Sequence, residues 1–208
     1  MASVIEESGI NLFGGQPVSL ENIDKLNAVV NCSELNKSSF AKDIQNNTGN
    51  ALATGIGFYI LGEDAQAAES LEKAADCMEK HLFLGRSLRR AGKFDEAVKS
   101  FQEAEKHNAD SLMVSLEKVE TLRQAGKLED AQQAISGCGN FEKVSAEYHF
   151  QLGRLNDAEG LYAQAMKNYQ IAIELDSSHQ KALFHLAYAC DLRAIVLGEL
   201  YRHSADSP

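Results

Sequence analysis

A seven-residue string occurs twice in this chain at a separation of 34 residues: Ala-Gly-Lys-Phe-Asp-Glu-Ala at 91–97 and Ala-Gly-Lys-Leu-Glu-Asp-Ala at 125–131. One more step of the same length reaches Glu-Gly-Leu-Tyr-Ala-Gln-Ala at 159–165. Gly92, Gly126 and Gly160 thereby fall in register, as do Phe94, Leu128 and Tyr162, and Ala97, Ala131 and Ala165. A fainter copy, Leu-Gly-Glu-Asp-Ala-Gln-Ala at 61–67, lies 30 residues upstream of the first. A fixed period of this length constrains the fold more than any other feature of the chain. Each copy is too short to bury a core alone and must pack on its neighbour.

Within each copy the apolar spacing is helical. Leu84, Leu88 and Ala91 form one stripe and Phe94, Ala97, Val98, Phe101 and Ala104 a second, close to i, i+3, i+4 and i+7. The shared glycine stands between the stripes, where a residue tolerant of positive φ ends one helix and lets the chain reverse. Each unit is therefore two helices, and no strand pattern competes. Asp76 with Glu79 reads as a capping box for the helix entering the first full copy, and Ser178 as the cap of the helix after the third. The stretch Ile44 to Gly62 reads as one buried helix too short to span a membrane.

These residues resemble the tetratricopeptide repeat, a 34-residue helix-turn-helix unit with small or aromatic residues at positions 8, 11, 17, 20, 24 and 27. In the copy at 78–111 these are Gly85, Leu88, Phe94, Ala97, Phe101 and Ala104. At 146–179 they are Gly153, Asn156, Tyr162, Ala165, Tyr169 and Ala172, and the weaker copy at 112–145 has Val119, Leu122, Leu128, Ala131, Ile135 and Cys138. The resemblance implies an all-α chain, a right-handed α-solenoid of stacked antiparallel helix pairs. On that basis residues 1–36 are an N-terminal extension with one amphipathic helix over 19–31, and 37–179 the array, with a degenerate repeat at about 48–77. Residues 180–208 are a capping helix or a partial repeat.

In this family the first helices line a concave groove, and the arginines of this chain are concentrated there. Of seven, Arg86, Arg89, Arg90, Arg123 and Arg154 lie on first helices. The resemblance implies that they face a bound peptide, with Leu82, Leu116, Phe150, Phe184 and Tyr188 as apolar floor. A guanidinium fork suits carboxylates, so the implied ligand is an acidic, partly apolar peptide or helix of a partner protein. The alternative is internal pairing of these arginines with Glu117 and Glu120. The dicarboxylate clamp of chaperone-binding members needs Lys and Asn where this chain has Leu82 with Arg86, Leu116 with Glu120, and Phe150 with Arg154, which disfavours a heat-shock co-chaperone role.

The net charge of -10 over 208 residues argues against nucleic-acid or anionic-membrane binding. No phosphate loop, HExxH or nucleophile elbow is present. The expectation is a non-catalytic adaptor without cofactor or metal, and the six histidines form no ligand pair on one helix face. His81 and His149 share one repeat position, which favours packing over ligation. The four cysteines form no CxxC and read as reduced, buried thiols, and the acidic N-terminus points to the cytoplasm. Two further readings are a small export or assembly chaperone resembling three-repeat secretion chaperones, and a scaffold that self-associates through the N-terminal helix or the array ends. The N-terminal segment, with Glu6, Glu7, Ile10, Leu12 and Phe13, has the character of the implied ligand and is expected to occupy the groove.

Overall fold

The structure, a computed structural model, describes residues 4–15, 19–107 and 112–191, and these contain helices and turns with no strand. The chain divides into two compact units, Met1–Val114 and Ser115–Pro208. The first holds α1 (Val4–Ser8), α2 (Leu20–Asn31), α3 (Glu34–Asn46), α4 (Ala51–Leu61), α5 (Asp64–Glu72), α6 (Met78–Arg90) and α7 (Phe94–His107). The division falls within α8 (Leu112–Gln124); the second unit continues with α9 (Leu128–Ser136), a single 3-10 turn at Gly139–Phe141, α10 (Ala146–Ala158) and α11 (Tyr162–Leu175). Residues 180–191 are helical again.

The helix starts follow local chemistry. Ser19, Ser33, Asn50 and Ser145 each accept a hydrogen bond from the backbone N–H three residues on, satisfying one orphan donor of α2, α3, α4 and α10. Two expected caps are different. Cys77, not Asp76, is the N-cap of α6 and makes no side-chain bond there, because the Asp76 carboxylate is turned toward histidines. After α11 the N–H of Ala182 is held by His179 Nδ1, while Ser178 donates its hydroxyl to Asp176. The Ile44–Gly62 stretch is also two helices rather than one. Asn47 ends α3 and Asn50 starts α4, since asparagine competes for backbone groups where the chain turns.

The helix ends carry the repeat. Gly62, Gly92, Gly126 and Gly160 have φ between 74° and 82°. At Gly92 the N–H bonds to the Arg89 carbonyl while Lys93 N–H reaches back to Leu88, and the same pair of bonds closes the other three turns. This Schellman arrangement uses up otherwise orphaned carbonyls and sends the chain back along the helix it has just left. In the 112–145 copy α9 has 9 residues against 14 in α7 and α11, and the Ser-Gly-Cys-Gly-Asn run ends it.

Packing inside three of the helix pairs rests on one missing atom. A Cβ on Gly85 would lie 2.7 Å from Phe101, one on Gly153 2.5 Å from Tyr169, and one on Gly55 2.5 Å from Leu71. Phe101, Tyr169 and Leu71 are fully buried, as are Ala97, Ala104, Ala165 and Ala172 beside them. Small residues on both helices let α4 meet α5, α6 meet α7 and α10 meet α11 at close range. In the 112–145 copy Val119 takes the glycine's place and Ile135 the ring's, both buried.

The N-terminal segment belongs to the core of the first unit. Val4 and Leu12 are buried, Phe13 packs at 6.1 Å from the Phe40 ring, and Glu7 accepts a hydrogen bond from Asn36. Its apolar residues are thus spent on α1–α3 packing, so the expected occupation of a groove by this segment does not hold. The side chain of Glu6 and the residues from 192 onward, which hold most of the expected capping helix or partial repeat, lie outside the described residues.

Adding the missing methyl should be expensive. Gly85→Ala and Gly153→Ala are each expected to lose about 1–3 kcal/mol of stability in urea unfolding, despite alanine's better helix propensity. Gly139→Ala, where a Cβ would meet nothing within 4 Å, is expected to stay within about 0.5 kcal/mol of wild type.

Candidate functional site

The arginines of the first unit are built into it. Arg90, in the last turn of α6, stacks 3.9 Å above the Tyr59 ring, donates to the Tyr59 carbonyl at 2.7 Å and pairs with Asp64 at 3.0 Å. It therefore ties α6 to α4 and the start of α5. Burial raises the Asp64 carboxyl above its ordinary value even with Arg90 beside it. Arg86 lies over the Phe83 ring at 5.4 Å and reaches Met113 Sδ, and Arg89 lies over Phe101 at 5.9 Å. Leu82 is fully buried in the core of this unit. It cannot serve as groove floor, because the α6 face it occupies is already covered.

The same unit gathers three groups that sequence spacing keeps apart. His81 on α6 donates to Asp76 Oδ1 at 2.6 Å, and His107, in the last turn of α7, approaches Asp76 Oδ2 at 3.2 Å. The hydrogen bond from His81, together with the charges of His107 and Lys80, holds the Asp76 carboxyl below its ordinary value against a partial burial effect. His149, by contrast, is a packing residue: buried, it donates to the Glu142 carbonyl at 2.7 Å and meets the Asn168 amide at 3.0 Å.

In the second unit Arg123 is an internal partner. Its Nε and a terminal nitrogen bind both Glu120 oxygens at 2.9 and 2.8 Å, and Gln124 donates to the same carboxylate. Burial pushes the Glu120 carboxyl up, but Arg123, Gln124 and the charge of Arg154 outweigh it, and the group ends below the ordinary glutamate value. Leu116, only 3% exposed, is also unavailable as groove floor. Internal pairing with glutamate thus accounts for Arg123.

Arg154 is placed differently. Its guanidinium lies 5.8 Å from the centre of the Phe150 ring, and the Lys181 ammonium lies 6.0 Å from the same centre. Phe150, Arg154, Gln180, Lys181, Phe184 and His185 line an open pocket of about 260 Å³. Phe150, 2% exposed, is its base rather than an accessible surface. Phe184 and Tyr188 stack at 6.4 Å with rings nearly parallel, and they are 67% and 56% exposed. Burial and the charge of Arg154 depress the His185 pKa, which leaves the pocket wall an uncharged imidazole at neutral pH. Two cations beside exposed aromatic faces can hold a carboxylate and an apolar side chain together.

Of the ten residues singled out from sequence, the second unit brings Phe150, Arg154, Phe184 and Tyr188 together, whereas Leu82, Leu116, Arg90 and Arg123 serve internal packing or pairing. Lys181 and His185 were not among them. For Lys181 the signal, a cation one turn before Phe184, has meaning only because that ring projects into solvent. The cysteines also depart from expectation: Cys138 is buried, but Cys32 and Cys190 are exposed, and all four are free thiols.

Models of the tetratricopeptide repeat match residues 83–136 and 146–179. Among solved structures, MamA from Desulfovibrio magneticus RS-1 is 19% identical with a TM-score of 0.54, over 81% of this chain and 98% of that one. MamA of AMB-1 is 20% identical with a TM-score of 0.53, over 69% of this chain and 88% of that one. They share the helical-repeat fold. A curated relative in Pseudomonas putida, the probable biofilm formation methyltransferase WspC, is 32% identical over 84 residues, which are 40% of this chain and 20% of that protein. The chain thus spans about a fifth of the length of that relative. No helix among the described residues is long and apolar enough to cross a membrane.

The Glu120–Arg123 pair makes a pH prediction. A carboxyl whose folded pKa is lowered stabilises the fold fully above its unfolded value and loses that contribution as pH falls through the folded one. Glu120→Gln, which leaves Arg123 short of its partner, is expected to cost about 1–3 kcal/mol at pH 7. In paired urea titrations the gap to wild type should narrow as the pH is taken below 4.5.

Proposed function

Because the chain is a tetratricopeptide-repeat protein, a protein-interaction module, we propose that it is a non-catalytic adaptor. Its second unit takes an acidic, partly apolar segment of a partner. The observation that carries this reading is the exposed Phe184–Tyr188 stack with Arg154 and Lys181 at its pocket. An acidic protein that keeps two cations around an open aromatic patch repels most polyanions at long range and still attracts a short segment that pairs one carboxylate with an apolar anchor. Arginine over a ring is partly desolvated already, so its hydrogen bonds to a carboxylate are worth more than those of a freely hydrated cation.

The arginines already paired within the fold, Arg90 in the first unit and Arg123 in the second, play a supporting role in this reading. Arg90 and Arg123 are engaged with Asp64 and Glu120, and their removal would act through stability. A cytoplasmic setting belongs to the same proposal, supported by four cysteines that are all free thiols, two of them exposed.

A peptide-display selection on the full chain tests the proposal. Wild type should enrich sequences that combine Asp or Glu with Leu, Phe or Tyr. Arg154→Glu and Phe184→Ala should each weaken the selected peptides about tenfold or more, which corresponds to about 1.4 kcal/mol. Phe184→Ala should leave the unfolding midpoint nearly unchanged, since the ring is 67% exposed. Absence of acidic-apolar enrichment, or binding by both variants as tight as that of wild type, overturns the assignment.

A further inference from the structure

We propose that Asp76, His81 and His107 form a binding site for one divalent first-row transition-metal ion, zinc being best suited, which clips the segment before α6 to the helix pair α6–α7. The donor atoms of the three residues all lie within 4.8 Å of one another. Around a tetrahedral ion with bonds of about 2.0–2.1 Å, ligand atoms stand about 3.3 Å apart. His107 Nε2 stands 3.2 Å from Asp76 Oδ2, which already meets that spacing, and His81 Nε2 stands 2.6 Å from Oδ1, so a small turn of the exposed carboxylate, opening that contact by a fraction of an ångström, brings one oxygen to both imidazoles. The two imidazole rings stack at 5.7 Å with only 20° between their planes, so both present Nε2 toward the same carboxylate.

The donor set selects the ion. Two imidazole nitrogens and one carboxylate suit borderline metals such as zinc and are poor ligands for calcium or magnesium, which take oxygen shells. Asp76 is 69% exposed on its side chain, so water can complete the coordination, while His81 at 14% and His107 at 33% are held by their helices. The nearest cation, Lys80, is turned aside: its ammonium donates to the backbone carbonyls of Glu72 and Ala74. The three residues come from the α5–α6 connection, the first turn of α6 and the last turn of α7, so the ion would bridge segments up to 31 residues apart in sequence.

Isothermal titration of the metal-free full chain with zinc chloride at pH 7.5, alongside cobalt(II) titration followed in the visible, tests the site. One equivalent should bind with a dissociation constant in the micromolar range or below, raise the melting temperature, and give the visible bands of four-coordinate cobalt. His81→Gln and His107→Gln should each weaken binding about tenfold or more. Asp76→Asn, at an exposed position and checked for unchanged helicity, should do the same without disturbing the fold. Cys77→Ser should bind as wild type does, since serine serves equally as the α6 N-cap. Absence of saturable binding at one equivalent, or affinity unchanged in Asp76→Asn and His107→Gln, overturns the assignment, as does loss of binding in Cys77→Ser alone.

Discussion

The fold depends, in three of its repeat pairs, on a side chain of the second helix lying where the first helix has no Cβ. Leu71 over Gly55, Phe101 over Gly85 and Tyr169 over Gly153 repeat one contact three times, at a distance no other residue at the glycine position would permit. That contact fixes how far each second helix slides along the first and which face it covers. Everything else is what remains. The faces left over on α6 and α10 carry Arg86, Arg89, Arg90 and Arg154, and their rings and partners follow from the register already set. Tyr169 shows how tightly the arrangement closes: its hydroxyl donates to Asp157 at 3.0 Å, and burial together with the Asp157 charge drives its pKa up.

Arginine in an acidic chain has two separate duties here. Where a carboxylate is in reach, as with Asp64 and Glu120, the guanidinium becomes internal glue that links helices or braces one turn of a helix. Where a ring lies beside it at the wall of an open pocket, as with Arg154 by Phe150, part of its hydration is replaced by an aromatic face, and its charge acts on Glu120 only in support of Arg123. Similar repeat positions therefore lead to different roles, decided by whether a carboxylate or only a ring stands beside the guanidinium, on the same helix for Arg123 and on a neighbouring one for Arg90.

The repeat, the two-helix unit and the turn glycines were legible in the sequence because each depends on residues close together in the chain. A positive-φ glycine announces itself locally, and so does the apolar stripe that follows it. The site was legible only in part. Leu82 and Leu116 looked like groove floor because a first helix has two apolar faces, and sequence spacing does not say which one the neighbouring helices have taken. The same limit hid the break at Asn47–Asn50, where the apolar character runs on through a change of direction. Asp76, His81 and His107 were invisible as a group for the complementary reason: a motif search reads short spacings, and the far end of α7 returns beside the start of α6 only through the hairpin. His81 shared a repeat position with His149, yet the two have unlike partners, so equivalence of position did not carry equivalence of role.

The contact between glycine and ring also bears on how the chain reaches its structure. In all three pairs the two residues are sixteen apart in sequence, so each pair closes a short loop at a small entropic cost that hardly grows with the length of the protein. Chains built from such near-neighbour contacts search quickly, because no distant segments must find each other before favourable energy accrues. They also open piecemeal, since one hairpin can part while the next stays shut. Anything gripping a single pair, whether a partner at one end or an ion at the mouth of another, would slow amide exchange there first and reach the rest of its unit only through shared helix faces.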